Sequence, residues 1–213
     1  MTESPYKERP DDDLMLDVAS GVEAAMEELI LRWQGPLYHF LSRMTHDPGE
    51  AEDLTQETFI RLFQSAANYK PRDRFKSWIF RIAGNLARNE IRRRRLKRIL
   101  SLEALAERFT SSAGKGGGDV EALNLPAAGD PSSDLDSKEI HNALRKAMLE
   151  LPDRQREVMI LRRLSGFNQR EVAHQLGLTE AAVEGLLWRG SAALRKKLAG
   201  LWRDIQGGGD GSR

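Results

Sequence analysis

The sequence predicts an all-α protein, two small helical domains joined by a flexible linker. Two observations predict it. Apolar residues recur at three- and four-residue spacings, with no long period-two alternation. A stretch rich in Gly, Ser, Pro and Asp, "SSAGKGGGDVEALNLPAAGDPSSDLDS", then divides the helical pattern at residues 111–137. A segment of that composition buries too little apolar surface to offset its ordering entropy and suits a flexible, acidic linker of about 25 residues. The expected layout is an acidic N-terminal tail at 1–13, one helical block at 14–110, the linker, a second block at 138–205, and a disordered tail at 206–213.

The chain of 213 residues suits one large domain or two small ones. Lys and Arg (33) almost balance Asp and Glu (32), so a basic overall charge is no argument for nucleic acid. The charges are segregated, however. Residues 1–30 hold nine acids against Lys7 and Arg9, whereas "NEIRRRRLKR" at 89–98 puts six basic side chains into ten positions. Such asymmetry points to surfaces with different partners. There is no cysteine, which excludes disulfides and thiolate metal sites and fits a reducing compartment. The start lacks the basic and apolar regions of a signal peptide, and no apolar run approaches the roughly 20 residues that span a bilayer. The chain reads as soluble and cytoplasmic, without membrane insertion.

The helix "AEDLTQETFIRLFQSA" places Leu54, Phe59, Leu62, Phe63 and Ala66 on one face. The opposite face carries Asp53, Gln56, Glu57 and Ile60, with Glu50 and Glu52 beside them. This face repels DNA and suits a basic protein surface; a plain solvated face is the alternative, and Ile60 among the polar residues favours an interface.

The next helix, "RFKSWIFRIAGNLARNEIRRRRLKRIL", follows Pro71 and Asp73. Each helical residue advances about 100°, so Arg92 to Arg95 wrap most of the circumference and cannot share one flat contact. Winding from Phe75 puts Phe75, Ile79, Ile82, Ala83 and Leu86 on the buried side, widened by Phe80, Ala87 and Ile91. Opposite lie Trp78, Arg81, Asn85, Arg88 and Arg92. Arginines hold phosphates, amides read base edges and aromatics stack on unpaired bases, so this stripe, with Tyr69 and Phe75 just upstream, favours nucleic acid over a solvated face.

"NQREVAHQLGLTEAAVEGLLWRGSAALRKKL" has the layout of a helix-turn-helix. Val172, Ala173 and Leu176 form an inner face, Gly177 supplies the turn, Leu178 plugs the corner and Thr179 caps the second helix. The outward residues are Thr179, Glu180, Ala181, Glu184, Gly185, Trp188 and Arg189, with Arg195, Lys196 and Lys197 further along. Recognition helices read the major groove mainly with their N-terminal residues. Trp188 suits DNA, a protein partner or the bundle itself.

No catalytic constellation emerges. His39, His46, His141 and His174 lack metal-ligand spacing, and Gly116–Gly118 lack the Lys-Ser/Thr of a phosphate loop. Neither a cofactor nor a metal is expected, and an enzyme is the least favoured reading.

At "AEDLTQETFIRLF", "FKSWIFRIAGNLARNEIRRRR", "LPDRQREVMILR" and the helix-turn-helix, over residues 25–110 and 138–200, the chain resembles a bacterial RNA polymerase sigma factor of the extracytoplasmic-function (ECF) type. The resemblance implies a region 2-like domain and a region 4-like domain. In the first, Asp53, Gln56, Glu57 and Ile60 would dock on the clamp helices of core RNA polymerase. Tyr69, Phe75, Trp78, Arg81, Asn85, Arg88 and Arg92 would recognise and melt the −10 element, flipping one base of the single strand into a pocket. In the second, Thr179, Glu180, Ala181, Glu184, Gly185, Trp188, Arg189 and Lys196 would read duplex DNA at −35, and the domain would also meet the polymerase flap. The linker acids Asp119, Glu121, Asp130, Asp134 and Asp136 would mimic nucleic-acid charge on the way to the RNA exit channel. Such a factor initiates transcription as an alternative factor for a stress or envelope response under an anti-sigma protein. Gly84 and Asn89 stand where family members often carry arginine and aspartate, and Glu184-Gly185 where Lys-Ser is common. A conventional helix-turn-helix regulator that binds duplex DNA without polymerase is the competing reading.

Overall fold

The computed structural model describes residues 5–71, 74–110 and 135–207, with side chains described for 5–71, 74–97, 140 and 142–199. Among the described residues all regular structure is helical. The first half holds α1 (Asp11–Ala19), α2 (Glu23–Thr45), α3 (Pro48–Gln64), a 3-10 turn at Ala66–Asn68, and α4 (Phe75–Thr110). The second holds α5 (Leu135–Leu149), α6 (Asp153–Arg163), α7 (Gln169–Leu176) and α8 (Glu180–Gly207). The linker acids Asp119, Glu121, Asp130 and Asp134 lie outside the described residues, as does the side chain of Asp136.

The expected acidic tail is in part structured. Asp11, Asp12 and Asp13 form the first turn of α1, where carboxylates complement the helix dipole. Leu14, Met15 and Val18 bury that helix in the core. Arg32 on α2 fastens its approach, donating to the carbonyls of Tyr6, Lys7 and Arg9 and the carboxylates of Asp11 and Glu28 at 2.7–2.9 Å.

Asp47 begins α3 by accepting the Glu50 N–H at 3.1 Å, with Pro48 preset for the first helical position. The buried face of α3 differs from the expected one at Phe63, which is 60 % exposed. The Thr55 and Thr58 hydroxyls close onto the carbonyls of Ala51 and Leu54 at 2.6 and 2.7 Å, so both threonines can go inside. The buried arc turns toward them and away from Phe63.

Helix α4 crosses the bundle with Phe75, Ile79, Phe80, Ala83, Leu86 and Ala87 inside. Most of the arginine run serves the protein itself. Arg93 pairs with Glu90, Arg94 bridges Asp47, Glu50 and Glu90, and Arg95 reaches Asp153 at 3.5 Å.

The halves share one apolar core. Phe167, between α6 and α7, is buried edge-on against Phe80 of α4 with centroids 5.1 Å apart, and Lys76 lies 4.4 Å from its ring centroid. Arg156 of α6 donates to the Met44 carbonyl at the end of α2, at 2.9 Å. His46 closes that helix in a left-handed conformation, φ 58°. Its burial, with the charges of Arg156 and Arg145, holds its pKa down to about 4, so the ring is neutral.

At the α3–α4 joint the Glu50 side chain is 9 % exposed, and its pKa is raised to about 7 by burial, a hydrogen bond with Glu90 and the nearby acids, against the opposing pull of Arg94. Between its ordinary value of 4.5 and about 7 the folded chain therefore holds a proton that the unfolded chain has lost, and this group's contribution to stability falls as pH rises through that window. Glu50→Gln should match the parent in thermal midpoint at pH 5 and exceed it at pH 8. Equal midpoints at pH 8 in calorimetry would contradict a buried, proton-sharing Glu50.

Candidate nucleic-acid and protein interfaces

Three faces remain after the core is built. On α3, Asp53, Gln56 and Ile60 are exposed and Glu57 is partly so, held by Arg61 at 2.7 Å. Phe63 stands one turn beyond Ile60, giving an acidic strip that ends in two exposed apolar side chains, 51 % and 60 % accessible. Phe63 was missed as a surface residue because its spacing from Phe59 reads as core.

The second face is a cleft of about 470 Å³ where the 3-10 turn, the start of α4 and the end of α7 meet. Tyr69 and Trp78 pack at 4.7 Å between centroids, and Phe75 lies beneath them at 6.2 and 5.9 Å. Phase on the helix decides Phe75: it is 2 % exposed, so it supports the two rings and is no contact residue itself. The Tyr69 hydroxyl donates to Asp12 of α1, which fixes the ring. Lys70, Arg74 and Arg81 are exposed on the cleft lining, and Arg74 meets His174 of α7 at 3.0 Å. Aromatic side chains beneath a ring of cations fit an unstacked base with its flanking phosphates. Lys70 and Arg74 were legible as cations within the aromatic segment; Asp12 gave no signal, because an acid in an acidic stretch does not announce a buried partner.

Further along α4 the stripe continues with Asn85 exposed, Arg88 partly buried and Arg92 exposed. Arg88 donates to both Asn85 and Glu157 of α6, so these two stripe residues are engaged inside the chain.

The third face is the helix-turn-helix. Asn168 and Glu171 form a reciprocal capping box at the start of α7, and Gly177 ends it in the left-handed region at φ 64°. Thr179 accepts from the Ala182 N–H at 3.1 Å, and Gln169 donates to the Glu180 carbonyl at 3.0 Å, tying the two helices at their starts. Val183 and Leu194 are buried; Thr179, Glu180, Ala181, Glu184, Trp188, Arg189 and Lys196 are exposed, and Gly185 is half-buried. Trp188, 69 % exposed, is not part of the bundle core.

The sigma-70 region 2 family model matches residues 29–97, and the sigma-70 region 4 model matches 141–194. RNA polymerase sigma factor CarQ of Myxococcus xanthus is 30 % identical over 87 % of this chain and 95 % of its own. The chain belongs to the ECF sigma factors of the sigma-70 family. ECF RNA polymerase sigma factor SigW of Bacillus subtilis is 28 % identical over 86 % of this chain and 94 % of its own. Solved structures of similar fold include CnrH, in complex with the cytosolic domain of CnrY, with a TM-score of 0.64 at 22 % identity, covering 90 % of this chain and 99 % of that one. The sigma factor RpoE of Bartonella quintana, in complex with the anti-sigma factor NepR, has a TM-score of 0.55 at 24 % identity over 81 % and 96 %. No helix among the described residues is long and apolar enough to cross a membrane, and no group of His, Cys, Asp and Glu there could hold a metal.

Because Gly177 carries a positive φ, Gly177→Ala should cost the second half about 1–2 kcal/mol. Denaturant unfolding measures it, and no loss would mean that the turn relaxes to another conformation.

Proposed function

We propose that this sigma factor docks on core RNA polymerase through Asp53, Gln56, Glu57 and Ile60 of α3, with Phe63 extending the patch. It directs the enzyme to promoters by reading duplex DNA at −35 with the first turns of α8, and helps melt the −10 region by holding single-stranded bases around Tyr69 and Trp78. The observation that carries the reading is the aromatic cleft rimmed by Lys70, Arg74 and Arg81, in one chain with a capped helix-turn-helix whose outer face is exposed. Binding unpaired bases and binding duplex are different tasks, and promoter opening requires both.

In this reading α3 supplies a protein contact, since its acids repel phosphate. Arg81, Asn85, Arg88 and Arg92 follow the strand from the cleft, arginines on phosphates and the amide on a base edge. On α8, Thr179, Glu180, Ala181, Glu184 and Gly185 enter the groove, while Arg189 and Lys196 hold the backbone. Glu184 can accept from a cytosine amino group, and Trp188 offers an apolar face to thymine methyls. The protein contributes binding and no bond chemistry of its own. An anti-sigma protein is the expected regulator, in keeping with the anti-sigma factor NepR bound to the structurally similar RpoE. A stress or envelope response is the expected setting.

Run-off transcription on genomic DNA with core polymerase tests the reading: discrete starts should appear only when both proteins are present. Asp53→Arg with Glu57→Arg should abolish co-elution with core enzyme while leaving the helical circular dichroism unchanged. Undiminished co-elution removes α3 from the docking surface. Trp78→Ala should reduce open-complex formation more than duplex binding, by roughly 5- to 150-fold for one stacking contact of about 1–3 kcal/mol. Normal permanganate reactivity in that variant returns Trp78 to a packing role.

A further inference from the structure

Helix α6 presses a carboxylate into the α4 stripe. Glu157 is fully buried, and its Oε1 accepts from Arg88 Nη1. The same oxygen stands 2.7 Å from where a Cβ on Gly84 would be, with Phe40 Cζ at 3.8 Å. Gly84 lies inside α4, where glycine weakens a helix relative to alanine, and no left-handed conformation requires it. What its missing side chain permits is the seat of Glu157.

A carboxylate paired with an arginine offers the guanidinium the same charge and fork geometry as a phosphate. Arg88 is only 20 % exposed in this state, while Asp53, Gln56 and Ile60 on the polymerase-facing helix stay open. The other Glu157 oxygen has no hydrogen-bond partner, Arg154 Nη1 standing 4.0 Å away. Burial pushes the carboxyl above its ordinary range despite Arg88. The latch is thus incompletely satisfied, as befits a contact meant to open.

We propose that Glu157, seated over Gly84 and paired with Arg88, is an internal competitor for nucleic acid that keeps the free chain closed and withholds Arg88 until the two halves part. The proposal rests on the reading of α4 as a single-strand-binding stripe and adds the group that masks it. Polymerase engages the exposed α3 face first, and separation of the halves then releases Arg88 for the strand.

The chain has no cysteine, so a spin-label pair can be placed at the exposed positions Gln64→Cys and Arg163→Cys in the full-length protein. The parent should give a narrow distance distribution. Gly84→Ala, which favours the helix but collides with Glu157, should give a longer and broader one. It should also bind a fluorescent single-stranded deoxyoligonucleotide about tenfold more tightly without polymerase, because apparent affinity scales with the competent fraction. Glu157→Gln, which keeps the shape and removes the charge, should shift both readouts the same way. Adding Arg88→Ala to Gly84→Ala should remove the gain. A broad distribution in the parent, opening without a gain in binding, or a gain that survives Arg88→Ala would overturn the latch. Failure of the promoter reading shows separately, in run-off transcription with core enzyme, whereas the label distances report closure with neither polymerase nor DNA present.

Discussion

Arg156 and Glu157, adjacent in α6, are 5 % and 0 % exposed, and the relation between the two halves of the molecule depends on where their partners lie. Unpaired buried charges cost several kcal/mol each, so a helix that carries two can be buried only where both are met. Being about 100° apart on the helix, they reach in different directions. Arg156 binds the Met44 carbonyl at the open end of α2 and the Leu149 and Leu151 carbonyls of its own half. Glu157 finds its donor in Arg88 on α4. The apolar contact of Phe80 with Phe167 favours closure in many orientations; the two charges select one.

That selection determines which surfaces face outward. With α6 laid across α2 and α4, the end of α7 arrives beside the Tyr69–Trp78 cleft and Arg74 meets His174. The outer face of α8 and the strip on α3 stay uncovered. One packing arrangement thus leaves free the surfaces proposed to read duplex DNA and to face polymerase, while it occupies part of the proposed single-strand surface. The surfaces proposed to act early in initiation are open, and those proposed to act after strand separation are partly engaged.

Local signals in the chain were enough for the helices and most of their faces. The helix-turn-helix was legible from Gly177, Leu178 and Thr179, and the inner arc of α4 from Ile79, Ala83 and Leu86, because caps and periodicity act within one or two turns. Phe63 misled because hydroxyls that bond to the carbonyl four residues back let Thr55 and Thr58 behave as small core residues, which turns the buried arc without changing the apolar count. Phe75 was legible twice, as core and as a site residue, and burial leaves only the first. Gly84 and Glu157 were out of reach: their contact spans two separate helices, and neither a helix-interior glycine nor a glutamate in a basic helix signals a partner. Asp12 and Tyr69 are a second pair of this kind.

The near-balance of acids and bases takes on physical meaning once partners are known. Arg32, Arg94 and Arg156 are committed to carboxylates or carbonyls within the fold, and Arg93 and Arg95 to exposed surface pairs that solvent weakens. From the run of four consecutive arginines, Arg92 alone is exposed without a partner among the described residues. Among the described residues, the exposed cations proposed to meet nucleic acid are Lys70, Arg74, Arg81 and Arg92 near the cleft, with Arg189 and Lys196 on α8. Counterion release scales with the number of phosphates neutralised, so each of these cations would add salt-sensitive affinity that carries no sequence information. In the proposed reading, discrimination rests on stacking at Tyr69 and Trp78 and on base edges at α8. A chain of this kind selects sites well only when a partner holds it at the DNA, which is the division of labour expected between a specificity subunit and the polymerase that carries it.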